Sequence, residues 1–247
     1  MKITVFGATG LIGSKVVADL TEAGYDVVAA ARNTGADVLT GDGLAEALAG
    51  AEVLVDVVNS PSFADDAVMD FFTTSTANLA AAAKQAGTGH YVALSIVGCD
   101  GLPDSGYMRA KVAQEKAIAA SGLDYTIVRA TQFHEFAQAI TQTLVAGDEV
   151  RVPDARIQLI ASDEVAAEVA RAAQAPAVNG FVNIGGPEKL SFADMAKAVL
   201  AAQGDTKPVV VDADATYFGT SVDDDSLVTG DDGKLATIRF ADWLSGR

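Results

Sequence analysis

At 247 residues, half of them hydrophobic, the chain is long enough for one large α/β domain or for a domain with a small lobe. Its formal net charge of −16 and pI near 4.3 argue against duplex nucleic acid or an anionic membrane surface as a partner, since either would repel it. A single cysteine, Cys99, rules out an internal disulfide framework, and two histidines suggest no metal-ligand cluster, so cytoplasm is the expected compartment.

The chain opens "KITVFGATGLIGSKVV". The apolar run at 3–6 predicts a buried strand, and Leu11, Ile12, Val16, Val17 and Leu20 then recur at helical spacing. Between them lie Gly7, Gly10 and Gly13, spaced G-x-x-G-x-x-G rather than G-x-G-x-x-G. A turn that bare suits a backbone approached closely by a phosphate. Free N–H groups and the positive end of the helix dipole would face a dinucleotide pyrophosphate. The run "ITVF" is too short for a signal-peptide core, and "LAAAAKQAG" is interrupted by Lys84, so neither a leader nor a membrane span is expected.

Further strands are predicted at 26–32, 36–42, 52–59, 90–97 and 124–130, alternating with helical stretches at 11–23, 44–49, 66–86 and 107–121. That alternation predicts a parallel sheet covered by helices on both faces, a doubly wound Rossmann-type α/β fold with ligands at the carboxyl ends of the strands. Residues 1–130 are the expected dinucleotide-binding core. The rhythm loosens afterwards, so 131–247 reads as a smaller substrate lobe partly interleaved with the sheet, all within a single domain. Ser162 and Ser191 each precede acidic residues and a periodic apolar run, as helix N-caps do. The aspartates at 212, 214, 223, 224, 225, 231 and 232 read as solvated loop charges. The helix at 66–86 is either a dimer face or a cover for the sheet, which leaves monomer and homodimer open.

Chemistry concentrates in "ALSIVGCDGLPDSGYMRAKVAQEKAIAASG". Ser95 ends a predicted strand, and Tyr107 and Lys111 lie four apart at the start of a predicted helix, on one face. A phenol of pKa about 10 is a poor acid or base at neutral pH, and a neighbouring ammonium would lower that value. Tyr107 is therefore the expected proton donor, Lys111 its tuning group and a holder of the cofactor ribose, and Ser95 the group that orients a substrate carbonyl. After the second strand, "VVAAARN" offers Arg32 where an acid would bind the ribose hydroxyls of NAD. A guanidinium suits a 2′-phosphate, so NADP is the expected cofactor, with NADPH preferred over NADH, Arg32 the anchor and Asn33 a helper. In "RATQFHEF", Phe133, His134 and Phe136 read either as pocket lining or as core, with the surface an equal place for His134. Tyr217, in "ATYFGTS", reads as a flap or a plain loop residue. Cys99 reads as incidental.

The glycine turn "GATGLIG" after a first strand, Ser95 on a later one and "YMRAK" together resemble the short-chain dehydrogenase/reductase superfamily, in its atypical NmrA-like branch of NAD(P)-binding proteins. The resemblance extends over essentially the whole chain, through "YTIVRATQF", "ASDEVAAEVA" and "NIGGPEKLSFADMA". It implies that Asp42 touches the adenine and that Val58, Asn59 and Ser60 line the cofactor. Thr9, Leu11 and Ile12 of the glycine turn, together with Ala130 and Phe133, complete the expected cofactor contacts. Ala130 stands where the family often has proline. The expected activity is an oxidoreductase passing hydride to a carbonyl or quinone-like small molecule. A non-catalytic redox sensor that binds the same dinucleotide, and an epimerase or dehydratase of the superfamily, are the alternatives.

Overall fold

The computed structural model describes residues 1–246. In chain order they form β1 (Lys2–Phe6), α1 (Leu11–Glu22), β2 (Asp26–Ala30), α2 (Leu44–Leu48), β3 (Val53–Asp56), α3 (Asp65–Ala86), β4 (His90–Ile96), α4 (Gly106–Ala119), β5 (Asp124–Ala130) and α5 (Ala137–Thr143). There follow β6 (Val145–Ala146), β7 (Glu149–Val152), β8 (Arg156–Gln158), α6 (Ser162–Gln174), β9 (Gly180–Gly185), β10 (Lys189–Ser191), α7 (Phe192–Gln203), β11 (Val209–Val211), β12 (Lys234–Leu235) and α8 (Phe240–Ser245). The central parallel sheet has seven strands in the order β12-β9-β5-β4-β3-β1-β2, the α/β architecture expected. Among the described residues no helix is long and apolar enough to cross a membrane.

The chain divides into two compact units, the first made of residues 1–95, 106–129 and 165–182. β1 lies between β2 and β3, so the chain steps outward to β2 and returns on the other side of β1. That reversal opens a crevice at the carboxyl ends of β1 and β3, the usual ligand position in such sheets. Strand residues are buried on both faces, as Ile3, Val5, Phe6, Leu54, Val55, Tyr91 and Val92 show. One core cluster joins Phe6, Leu44, Leu48, Leu54, Leu79, Tyr91, Ile118 and Ile127. Each such side chain withdrawn from water contributes about 1.5–3 kcal/mol.

The segment 36–42, expected as a strand, is instead a turn. Asp37 Oδ1 accepts the Leu39 N–H at 2.8 Å, and Gly41 sits at φ +86°, so local side-chain bonding and a left-handed glycine replace a ladder. β5 coincides with its expected bounds, 124–130.

The second unit comprises residues 96–105 and 130–164 and the described residues from 183 onward. It contains a three-stranded sheet, β11-β7-β6, and an antiparallel pair, β10-β8. α7 packs against β7, β8, β10 and β11 through buried residues including Phe192, Met195 and Val199. Ser191 caps α7 as expected, accepting the Asp194 N–H at 3.0 Å. Ser162 does not act as an acceptor of that kind: it is the first residue of α6, and its N–H and hydroxyl donate to Glu135.

Candidate active site

The glycine turn follows β1 with Gly7 at φ +81°. Its three glycines are not equally constrained. A Cβ on Gly7 would lie 2.8 Å from the Val57 carbonyl oxygen, and one on Gly13 would overlap the Gly7 carbonyl and sit 2.8 Å from the Ala8 Cα. Gly7 and Gly13 are thus demanded by the chain's own backbone. Gly10 has φ −80°, and a Cβ there would meet only the Gly7 carbonyl oxygen, at 3.3 Å. The fold tolerates a side chain at that position far better, and Gly10 is exposed, at the N-cap of α1, where no side chain caps the helix. Thr9 and Leu11 beside it are exposed, while Ile12 is buried.

Arg32 and Asn33 are exposed on a short 3-10 turn (Arg32–Thr34) directly after β2. Thr34 fixes this turn: its Oγ1 accepts the Ala31 N–H at 2.9 Å and donates to the Ala31 carbonyl. Asp42 is exposed, with its carboxylate accepting the Thr40 hydroxyl at 2.8 Å. After β3, Val58 is half-buried, Asn59 exposed and Ser60 buried, and Asn59 Oδ1 accepts the Ser60 N–H at 2.9 Å.

The Tyr107 hydroxyl donates to the same Asn59 Oδ1 at 2.7 Å. Its ring packs edge-on against Phe72 of α3 at 5.9 Å and lies 5.6 Å from Phe63, which is exposed. Lys111, one helical turn later, is 4% exposed; its ammonium lies 4.3 Å from the centre of the Phe72 ring. Phe72 is therefore the neighbour that Tyr107 and Lys111 share. The ammonium donates to the Leu94 carbonyl at 2.9 Å and to Gln114 Oε1. Leu94 immediately precedes Ser95, which is 3% exposed and whose hydroxyl has no hydrogen-bond partner among the described residues.

One expectation is corrected here. Lys111 does not lower the pKa of Tyr107: burial pushes the phenol up to about 12, while the lysine's charge acts on Asp56. The structure also brings in residues that sequence reasoning missed, namely Asp56 at the end of β3, Tyr91 on β4 and Gln114 on α4. Asp56 is fully buried and accepts from the Tyr91 hydroxyl at 2.8 Å and Gln114 Nε2 at 3.1 Å. An acid inside the apolar run "VLVDVV" was the available signal.

The remaining expected residues lie in the second unit. Ala130 is buried, and Phe133 stacks on Phe136 at 5.4 Å, with Phe136 largely exposed. His134 is not a surface residue. It is 1% exposed, its ring 5.2 Å from both Phe240 and Trp243, and burial lowers its pKa. Tyr217 is likewise buried, against Phe192 at 6.0 Å, so it belongs to packing rather than to a flap; exposed Phe218 is its neighbour. Cys99 is buried.

A shallow hollow at the amino ends of β3, β4 and β5 is lined by Glu52, His90 and Asp124. It lies at the opposite strand ends from the glycine turn and Ser95, and His90 is already bonded to Thr126 Oγ1 at 2.9 Å.

A family model described as NAD(P)H-binding matches residues 7–176. The photosystem II assembly factor Ycf39 of Cyanophora paradoxa is 29% identical over 149 residues, which cover 55% of this chain and 46% of that protein. The match thus spans about half the length of this curated relative. Among solved structures, the dTDP-glucose 4,6-dehydratase DesIV of Streptomyces venezuelae, with NAD bound, superposes with a TM-score of 0.75 at 18% identity, covering 100% of this chain and 95% of that one. The UDP-glucose 4-epimerase of Thermus thermophilus, in complex with NAD, gives a TM-score of 0.69 at 19% identity over 88% of each chain. At such identities the likeness is one of fold.

Proposed function

The chain belongs to the NAD(P)H-binding family, and from that premise we propose that it is an NADP(H)-dependent reductase that passes hydride to a carbonyl or quinone-like small molecule. The residues present fit the dinucleotide. Gly10 keeps the entrance of α1 bare where the fold demands glycine least of the three, as a close-lying pyrophosphate requires. Arg32, held out after β2 by the Thr34 turn, suits a 2′-phosphate, and the Lys111 ammonium, bonded to the Leu94 carbonyl near the end of β4, would hold the ribose. When bound, the nicotinamide supplies the hydride.

The observation that carries the reductase reading is the buried, unpartnered hydroxyl of Ser95 at the carboxyl end of β4. A buried hydroxyl without a partner costs about 1–3 kcal/mol, and an acceptor oxygen in the site would satisfy it. Ser95 then orients the acceptor, and Tyr107 gives it a proton as its oxygen gains an electron pair. With its pKa pushed up to about 12 by burial, the phenol is protonated throughout the neutral range and so has a proton to give. Asn59 Oδ1, which accepts the phenolic proton in the resting protein, aims the hydroxyl until an acceptor displaces it.

The test is NADPH consumption against a panel of quinones, aldehydes and ketones. Turnover with any of them supports the reading. Tight NADPH binding with no turnover across the panel overturns it and leaves the dinucleotide sensor and the epimerase or dehydratase as the readings.

A further inference from the structure

Four polar side chains meet where an apolar core would be expected. Asp56, Tyr91, Lys111 and Gln114 are each no more than 4% exposed, and they come from β3, β4 and α4. Asp56 accepts the Tyr91 hydroxyl at 2.8 Å and Gln114 Nε2 at 3.1 Å, while its other oxygen takes the Val58 N–H at 3.2 Å. Donors surround this carboxyl, an arrangement that suits the ionised form, because a protonated acid would need an acceptor. Gln114 has its other end on the Lys111 ammonium, accepting through Oε1.

The amide is therefore oriented by two opposite charges. Turned over, it would present its NH2 to an ammonium and its oxygen to a carboxylate, losing both bonds. Burying a carboxylate and an ammonium costs more than their attraction returns unless their hydrogen bonds are filled, so an apolar core would be the simpler solution here. A cluster of this kind is explained by what it holds in place.

We propose that Asp56, acting through Gln114, is the positioning residue that fixes the Lys111 ammonium at the carboxyl ends of β3 and β4. The consequence for dinucleotide affinity rests on the role given above to Lys111; the arrangement itself does not. Gln114 lies three residues after Lys111 on the same face of α4, so a single helix face carries phenol, ammonium and amide in turn. Asp56 anchors the last of these from the adjoining strand. Tyr91 from β4 and Phe72 from α3 close the remaining sides.

The experiment observes the Lys111 side chain directly in ligand-free protein carrying isotopically labelled lysine, with the resonance assigned by its loss in Lys111→Met. In Asp56→Asn the ammonium loses its anionic counterpart, and its titration midpoint should fall by about one pH unit. Gln114→Met cuts the bridge while keeping an unbranched chain, and should move the same resonance. NADPH affinity should weaken about tenfold in either variant, and neither change should weaken it further in the Lys111→Met background. A cooperatively folded Asp56→Asn or Gln114→Met protein whose Lys111 resonance and midpoint match the parent overturns the inference. If instead Lys111→Met binds NADPH as tightly as the parent, the ribose contact falls, and the resonance still decides whether Asp56 holds the lysine.

Discussion

The glycine turn and the face of α4 bear on the same crevice but are built by different means. At the turn the constraint is the backbone: a Cβ at Gly7 or Gly13 would run into main-chain atoms of Val57, Gly7 or Ala8. On α4 the constraint is a relay of side chains, in which Tyr107 is tied to Asn59, and Lys111 through Gln114 to Asp56. A backbone constraint leaves its mark on consecutive residues, because only glycine fits. A side-chain relay spreads its mark over distant segments, each member of which has an ordinary alternative explanation.

The largest expected effect falls on the α4 side. Tyr107→Phe keeps the ring against Phe72 and leaves the turn untouched, so NADPH affinity should stay near the parent value. Turnover should fall by about 10²–10⁴-fold, the usual cost of losing a general acid. Steady-state kinetics with the best acceptor checks this. An unchanged rate would remove Tyr107 from the chemistry and leave its bond to Asn59 as packing only.

The next effect separates the glycines from one another. Gly13→Ala forces a Cβ into the Gly7 carbonyl and should destabilise the fold by about 1–3 kcal/mol, as overpacking does. Gly10→Ala meets one atom at 3.3 Å and should stay within about 0.5 kcal/mol of the parent, while NADPH binding weakens. Urea unfolding and dinucleotide titration on both variants give the contrast. Equal losses of stability would mean that the turn is a structural device throughout.

The same division governs what was legible in the sequence. Periodicity located β5 at its observed bounds and the first four helices to within a residue or two, because strand burial and helical spacing are local. It failed at 36–42, where a short run with β-branched residues suggested a strand but Asp37 and Gly41 supply turn geometry. That Tyr107 and Lys111 share one helix face was legible through their spacing, and both meet Phe72. Gln114 and Asp56 were not legible, since they are 58 positions apart and meet only when β3 is laid beside β4 and α4 packs nearby. His134 and Tyr217 carried no pattern that distinguishes pocket from core, and both are buried among aromatic rings.

Arg32 sharpens the comparison from the other flank of the turn, as an exposed side chain offering one charge-assisted contact. Arg32→Ala should weaken NADPH binding about tenfold and leave NADH nearly unchanged, because only the former carries a 2′-phosphate. Parallel titrations of the two cofactors measure the ratio. A parent protein that binds both equally would remove the assignment of NADP.

The smallest effect is a matter of pH, and its sign differs between the relay and the buried histidines. Burial holds the Asp56 carboxyl above its ordinary 3.8, against the opposing pull of Lys111, Tyr91, Val58 and Gln114, so the folded chain binds that proton more tightly than the unfolded chain. Stability from this group is complete below about 3.8 and is lost as pH rises through the folded value. His90 and His134 behave oppositely. Burial holds both below 6.5, so their contribution is complete above that value and is lost as pH falls through the folded ones. In Asp56→Asn the first slope disappears, and the difference in stability between variant and parent should shift in favour of the variant as pH rises from acid toward neutral. Urea unfolding at a series of pH values follows it. A constant difference across the range would mean that Asp56 binds its proton equally readily when folded and unfolded, and burial would then not raise its pKa.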